Sequence, residues 1–173
     1  MKIRLGVVQG RLSPQIGDFT QNFPTIKWRD EFDVAKINDI SHIEWILTED
    51  TLETNPIVDS LARIPNPAKT GVRISGICLD ACNSDKFHDP DYREMLWFTG
   101  FTAAIRDRST LGINHLIIPL LEKSSIQDPQ FREEILGELR MYMDLFPALK
   151  VSLETDLDHD DLKSVLDSLP EVM

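Results

Sequence analysis

Several polar side chains lie inside or just past short apolar runs, where a buried scaffold would present them to a site. Gln9 ends the run Arg4–Gln9 and Arg11 follows it, and Glu44 lies within His42–Leu47. Asp80 follows Arg73–Leu79, His88 stands in the loop beyond it, and Glu122 follows His115–Leu121. Glu154 and Asp156 close Lys150–Thr155. Carboxylates of this kind can move protons or hold hard divalent cations. Alternation along an extended chain puts Ser152, Glu154 and Asp156 on one face and Val151, Leu153 and Thr155 on the other. Glu44 opposes Ile43, Trp45 and Leu47 in the same way. A carboxylate inside a buried strand is destabilising unless paired or bound to a metal. The alternative for Glu44 and Glu154 is a carboxylate satisfied by a nearby Arg, Lys or backbone amide.

Other candidates carry less. His42 and His115 begin apolar runs, the end of a parallel sheet away from catalysis, and read as structural. His88 has solvation as its alternative role. His159 sits in Asp158-His159-Asp160-Asp161, which reads as a helix cap with its dipole complement. Cys78-x-x-x-Cys82 has no second pair to complete a zinc site, so Cys78 reads as a small core residue and Cys82 as a loop thiol. Trp28, Trp45 and Trp97 read as core packing.

The elements that must position these residues follow from the same runs. The five apolar runs begin roughly 30–40 residues apart, the length of a β-α unit. Between them, Trp28, Phe32 and Ala35 fall near helical spacing, and Asp89-Pro90 predicts a capped helix through about Ser109. Asp128-Pro129 opens another, with Phe131, Ile135, Leu139, Tyr142 and Phe146 as its apolar stripe. Asp158 caps a last helix carrying Leu162, Val165, Leu166 and Leu169. Asn55-Pro56 starts a helix that Pro65 and Pro67 must end early. Alternating strands and helices imply one α/β domain over residues 1–173 with a parallel sheet. An open doubly wound sheet suits the length, because a (β/α)₈ barrel typically takes about 250 residues. No glycine-rich phosphate loop follows any strand, which disfavours a nucleotide-binding version of the open sheet.

Composition narrows the partners. Apolar residues make up 42% and charged residues 27%, an ordinary globular balance. The net charge of −11 and the lack of a Lys/Arg stripe disfavour nucleic acid or an anionic membrane as partner. No apolar run reaches the roughly 18 residues of a membrane span, and no signal peptide is visible at the start. With two cysteines and no export signal, the expectation is a cytoplasmic protein with reduced thiols.

An ordered set of short pieces adds a resemblance. Gln9-Gly10-Arg11-Leu12-Ser13-Pro14 is followed by Gln21, Phe23-Pro24, Trp28 and Glu31-Phe32. Then come Ile43-Glu44-Trp45-Ile46, Asn55-Pro56, Ser75-Gly76-Ile77-Cys78 with Asp80, Leu111-Gly112-Ile113, Ile118-Pro119 and Leu153-Glu154-Thr155-Asp156-Leu157. The set resembles the xylose isomerase-like TIM-barrel superfamily, whose bacterial members are usually labelled sugar phosphate isomerase/epimerase. The resemblance covers nearly the whole chain. It implies a partial (β/α)₈ barrel of about five parallel strands with flanking helices rather than an open sheet.

It also implies a divalent metal in the barrel mouth, often Mn²⁺, Mg²⁺, Co²⁺ or Zn²⁺, with Glu154 as its first ligand and as the catalytic base. A sugar or sugar phosphate would be isomerised or epimerised through an enediolate. Gln9 and Glu44 would line the substrate pocket, and Arg11, Asp80, His88 and Glu122 join them as substrate-binding candidates from their places past the strands. The remaining metal ligands of that family, an Asp, a His and a second Glu, come from strands six to eight, beyond Met173. Residues Ser60–Lys69 look shortened against the family's second helix. The chain is therefore expected to be inactive alone, and to form a homo-oligomer or accept a complementing chain that covers its open edges. The alternative function is a non-catalytic oligomerising or partner-binding remnant of the barrel. An abasic-site endonuclease, which shares the superfamily, is disfavoured by the acidic charge.

Overall fold

A computed structural model describes residues 4–14, 22–59, 64–113 and 115–169. Strands β1 (Leu5–Val8), β2 (Ile40–Ile46), β3 (Arg73–Cys78), β4 (His115–Leu120) and β5 (Lys150–Thr155) form one sheet. Every neighbouring pair is parallel, and the order in the sheet is the order in the chain. That order decides between the two architectures. A doubly wound sheet reverses its winding at a switch point. Sequential right-handed crossovers instead carry every helix to the same side, as in a barrel. The fold is thus α/β and barrel-like, with five parallel strands flanked by helices.

The helices are α1 (Asp30–Ile37), α2 (Pro56–Asp59), α3 (Pro67–Thr70), α4 (Pro90–Leu111), α5 (Pro129–Leu145) and α6 (His159–Ser168). The three Asp caps act as their spacing predicts: Asp89, Asp128 and Asp158 accept from the backbone N–H groups of Asp91, Phe131, and Asp160 with Asp161. α4 runs two residues past Ser109 and stops where Gly112 adopts φ 82°, a left-handed cap that favours glycine. The proline-rich stretch resolves into two short helices, because Pro67 occupies the first turn of α3 behind an Asn66 cap instead of merely ending a longer helix. Residues 60–63, like Gln21, lie outside the described residues. Two expectations need correction. Trp28 precedes α1 and packs edge-on against Trp45 from a turn. Cys82 is a fully buried core residue in the Asp80–Cys82 turn, where its N–H donates to the Leu79 carbonyl.

The outer face of the sheet carries the core. Ile43, Trp45, Ile74, Ile77, Leu116 and Ile118 are completely buried. At about 1.5–3 kcal/mol for each large apolar side chain, this face holds the helices to the sheet. α4 and α5 are further tied by the buried Arg93, whose guanidinium donates to Glu138, Glu134 and the Phe87 carbonyl. The opposite, inner face is different. His42, Glu44, Ser75, His115 and Ser152 are only partly covered there, and Glu154 is exposed.

Candidate functional site

The site is built where the strands end. After β1 the chain turns sharply at Gly10 (φ 91°), where any Cβ would stand 2.4 Å from the Asn22 carbonyl oxygen. The buried carboxylate of Glu31, at the start of α1, accepts the N–H groups of Gly10 at 3.0 Å and Leu12 at 3.1 Å. That clasp fixes Gln9, whose N–H donates to the Glu44 carbonyl and whose Oε1 accepts from Ile46 N–H at 3.4 Å. Gln9 is buried, and its Nε2 has no hydrogen-bond partner among the described residues.

β2 turns Glu44 onto the inner face between Val8 and Gly76. Burial raises its carboxyl, and the charge of Glu154 adds to the effect. At the end of β3, Asp80 enters a 3₁₀ turn. Burial chiefly, then the charges of Glu154, Glu122 and Asp50, push its carboxyl up to about 6. β4 delivers Glu122 in a left-handed conformation (φ 55°), uncommon for a non-glycine residue. Glu122 is held there by Asn83, which donates Nδ2–H to it at 2.6 Å and accepts Lys123 N–H through Oδ1 at 3.2 Å. β5 places Glu154 on the inner face beside Pro119.

These loops enclose an open cleft of about 850 Å³ at the carboxyl ends of the strands. Asp80, Glu122 and Glu154 line it with Thr48, Glu49, Asp50, Asn83, Lys86 and Lys123. Lys86 pairs with Glu49 at 2.8 Å, and Lys123 with Asp85 at 3.0 Å. Of the residues the sequence singles out, the fold brings Asp80, Glu122 and Glu154 into this cleft, with Glu44 on the same face in two smaller hollows. Gln9, Arg11 and His88 are not among the lining residues. Arg11 is exposed, and His88 stacks on Phe131 with ring centroids 4.8 Å apart.

Sequence reasoning passes over Asn83, which follows the Asp80–Cys82 turn, and over Lys86 and Lys123 in the short 3₁₀ turns beyond β3 and β4. Their signal was available: polar residues within a few positions of a strand's carboxyl end. It also passes over Glu31, which acts through the backbone and not through a pocket.

The inner face continues below the cleft. A hollow of about 330 Å³ is lined by Glu44, Ser75, Gly76, His115, Ile117 and Ser152. His115 Nε2 lies 2.6 Å from Ser152 Oγ, and His42 Nδ1 lies 2.9 Å from Ser41 Oγ. Burial lowers both imidazoles, helped by the charges of Arg73 and Arg4 at His42 and of Lys150 at His115.

The residues present can be tested against the divalent metal that the barrel resemblance implies. Among the described residues, no three His, Cys, Asp or Glu side chains are grouped closely enough to hold an ion. Glu154 offers one carboxylate, and affinity for such ions comes from several donors. The described residues by themselves do not make that centre. No helix of the described residues is long and apolar enough to cross a membrane. No family model matches the chain, and no curated protein matches it. The class the fold and cleft define is an α/β barrel-like sheet with an acidic, polar cleft at the carboxyl end of its strands.

Proposed function

We propose that the cleft takes a small hydroxyl-rich ligand, a sugar or sugar phosphate, and that Glu154 is the base of an isomerase or epimerase acting on it. The observation that carries this reading is the convergence of Asp80, Glu122 and Glu154 at the carboxyl ends of parallel strands. The lining is rich in acceptors and donors, with Asn83, Thr48 and two lysines beside the carboxylates. That chemistry suits hydroxyls better than an apolar or aromatic ligand. The xylose isomerase-like resemblance points the same way.

In this reading Glu154 removes the proton from the hydroxyl-bearing carbon next to the carbonyl. The electron pair moves onto the carbonyl oxygen and forms the enediolate. Glu154 then returns the proton to the adjacent carbon while the hydroxyl's own proton passes to the former carbonyl oxygen, which exchanges the carbonyl and hydroxyl positions. Asp80, whose carboxyl is half protonated near pH 6, donates a hydrogen bond to the developing oxyanion. A divalent ion on Glu154 would need donors from outside the described residues. The buried thiols of Cys78 and Cys82, both free, support the cytoplasm as compartment.

The test is solvent exchange. A panel of aldoses, ketoses and their phosphates is incubated with the protein in D₂O, with and without Mn²⁺, and deuterium at the carbon next to the carbonyl is read by NMR. Incorporation that disappears in Glu154→Gln supports the reading. No incorporation under any condition, together with no Glu154-dependent Mn²⁺ binding by calorimetry, overturns it for this chain.

A second reading, a non-catalytic self-associating module, is favoured by one observation. Among the described residues β1 and β5 each pair on one side only, with Leu5 on β1 58% exposed, and His42, Glu44, Ser75, His115 and Ser152 leave the inner face partly open.

A further inference from the structure

The open inner face has opposite charge at its two ends. At the base of the strands, Arg73 stands beside His42 in register and Lys150 beside His115. Arg4 acts on His42 from β1's end of the same row. No ion pair to Arg4, Arg73 or Lys150 exists among the described residues, and all three side chains are exposed. At the carboxyl end, Asp50, Asp80 and Glu154 line one cleft, and the charges of Glu154 and Asp50 both act on Asp80. Between the two ends the face is mostly small or neutral, with Gly6, Ser75, Gly76, Ile117 and Ser152 around the single carboxylate of Glu44.

A surface that is basic at one end and acidic at the other is complementary to itself under a two-fold rotation. An isologous contact requires that property, because each patch meets the other patch of its twin. We infer that two copies of this chain associate inner face to inner face, about a two-fold axis perpendicular to the strands. The base row of each then lies over the acidic row of the other. This deepens the self-association reading by naming the face and the partner, and it rests on that reading. In such a dimer the partner's Arg73 and the partner's Lys150 also reach the cleft and add to the cationic charge of Lys86 and Lys123, which are paired with Glu49 and Asp85.

The size of the face sets the strength. Five strands at about 4.8 Å spacing and about 3.3 Å per residue give roughly 500 Å² of projected area per copy. Specific interfaces bury about 800 Å² per partner, so the contact is weak and concentration-dependent. The net charge of −11 opposes association at long range. At about 0.15 M salt the screening length is about 8 Å, so that repulsion is muted while apposed rows still attract.

The experiment is sedimentation velocity at about 0.15 M salt, over protein concentrations from about 10 to 500 µM. The wild-type chain is compared with an acidic variant, Arg73→Glu with Lys150→Glu, and a basic variant, Asp50→Lys with Glu154→Lys. All four positions are exposed, and circular dichroism checks that each variant folds. The expected result is a wild-type dimer, self-association weakened about tenfold or more in each variant alone, and recovery in an equimolar mixture of the two. A wild type that stays monomeric throughout overturns both this inference and the self-association reading. A dimer unmoved by either variant, or variants that stay apart when mixed, overturns the face assignment alone.

Discussion

Asp80→Asn is the perturbation whose outcome the geometry fixes most closely. Asp80 is held by burial under the charges of Glu154, Glu122 and Asp50, and its carboxyl sits at about 6. An ordinary aspartate titrates near 3.9, and each pH unit of difference is worth about 1.4 kcal/mol, so folding favours the protonated acid by about 3 kcal/mol before screening. The cleft is open to water, which reduces this to about 1–2 kcal/mol. Because the folded value lies above the unfolded one, the contribution is fully present below about pH 4 and is lost as pH rises through about 6. Asparagine is neutral throughout and nearly the same size. The variant is therefore expected to match the wild type near pH 4 and to exceed it by about 1–2 kcal/mol near pH 8. Urea unfolding at the two pH values reads the difference. With a slope of about 1–3 kcal/mol/M, the midpoint near pH 8 moves up by about 0.5–1 M. A variant no more stable than wild type near pH 8, or one equally stabilised at both pH values, would refute the account of Asp80 as a carboxyl crowded by like charge.

Glu154→Gln removes the charge common to Asp80 and Glu44, so both carboxyls are expected to titrate lower, as followed by carbon-13 NMR. Unmoved titrations would mean that Glu154 does not face them. Glu31→Ala leaves the Gly10 and Leu12 N–H groups without their acceptor. It is expected to lose about 2–4 kcal/mol in urea unfolding, and a loss below about 1 kcal/mol would deny the clasp its role. Gly6→Ala puts a Cβ 2.0 Å from His42 Nε2, and a loss of about 1–3 kcal/mol is expected. Adding His42→Ala opens the space and recovers most of that loss, whereas additive losses would show that the ring does not lie over Gly6.

How far the molecule was legible varies along the chain. β5 is readable to the residue because Lys150, Ser152 and Glu154 alternate with Val151 and Leu153, and Lys150–Thr155 is the observed strand. β2 begins two residues before the expected His42, because Ile40 pairs with Leu5 and the Ser41 hydroxyl donates to the Leu5 carbonyl. That is a contact with a strand more than thirty residues away in sequence, and local pattern carries no trace of it. Trp28 shares a helical spacing with Phe32 and Ala35 yet lies in a turn, because its place is set by Trp45. The loop position of His88 suggests a place in the site, and the 3₁₀ turn Asp85–His88 sets its ring against Phe131.

The amino-acid sequence determined the β-α rhythm, the caps at Asp89, Asp128 and Asp158, and the face of β5 from which Glu154 projects. Each of these depends on neighbours within about four residues, through side-chain alternation or a single capping hydrogen bond. Tertiary structure alone decided the sequential strand order, the gathering of Asp80, Glu122 and Glu154 into one cleft, and the placement of Arg73 and Lys150 at the opposite end of the strands from it. Those depend on which strands lie side by side and in what register, a choice made by burial across the whole sheet.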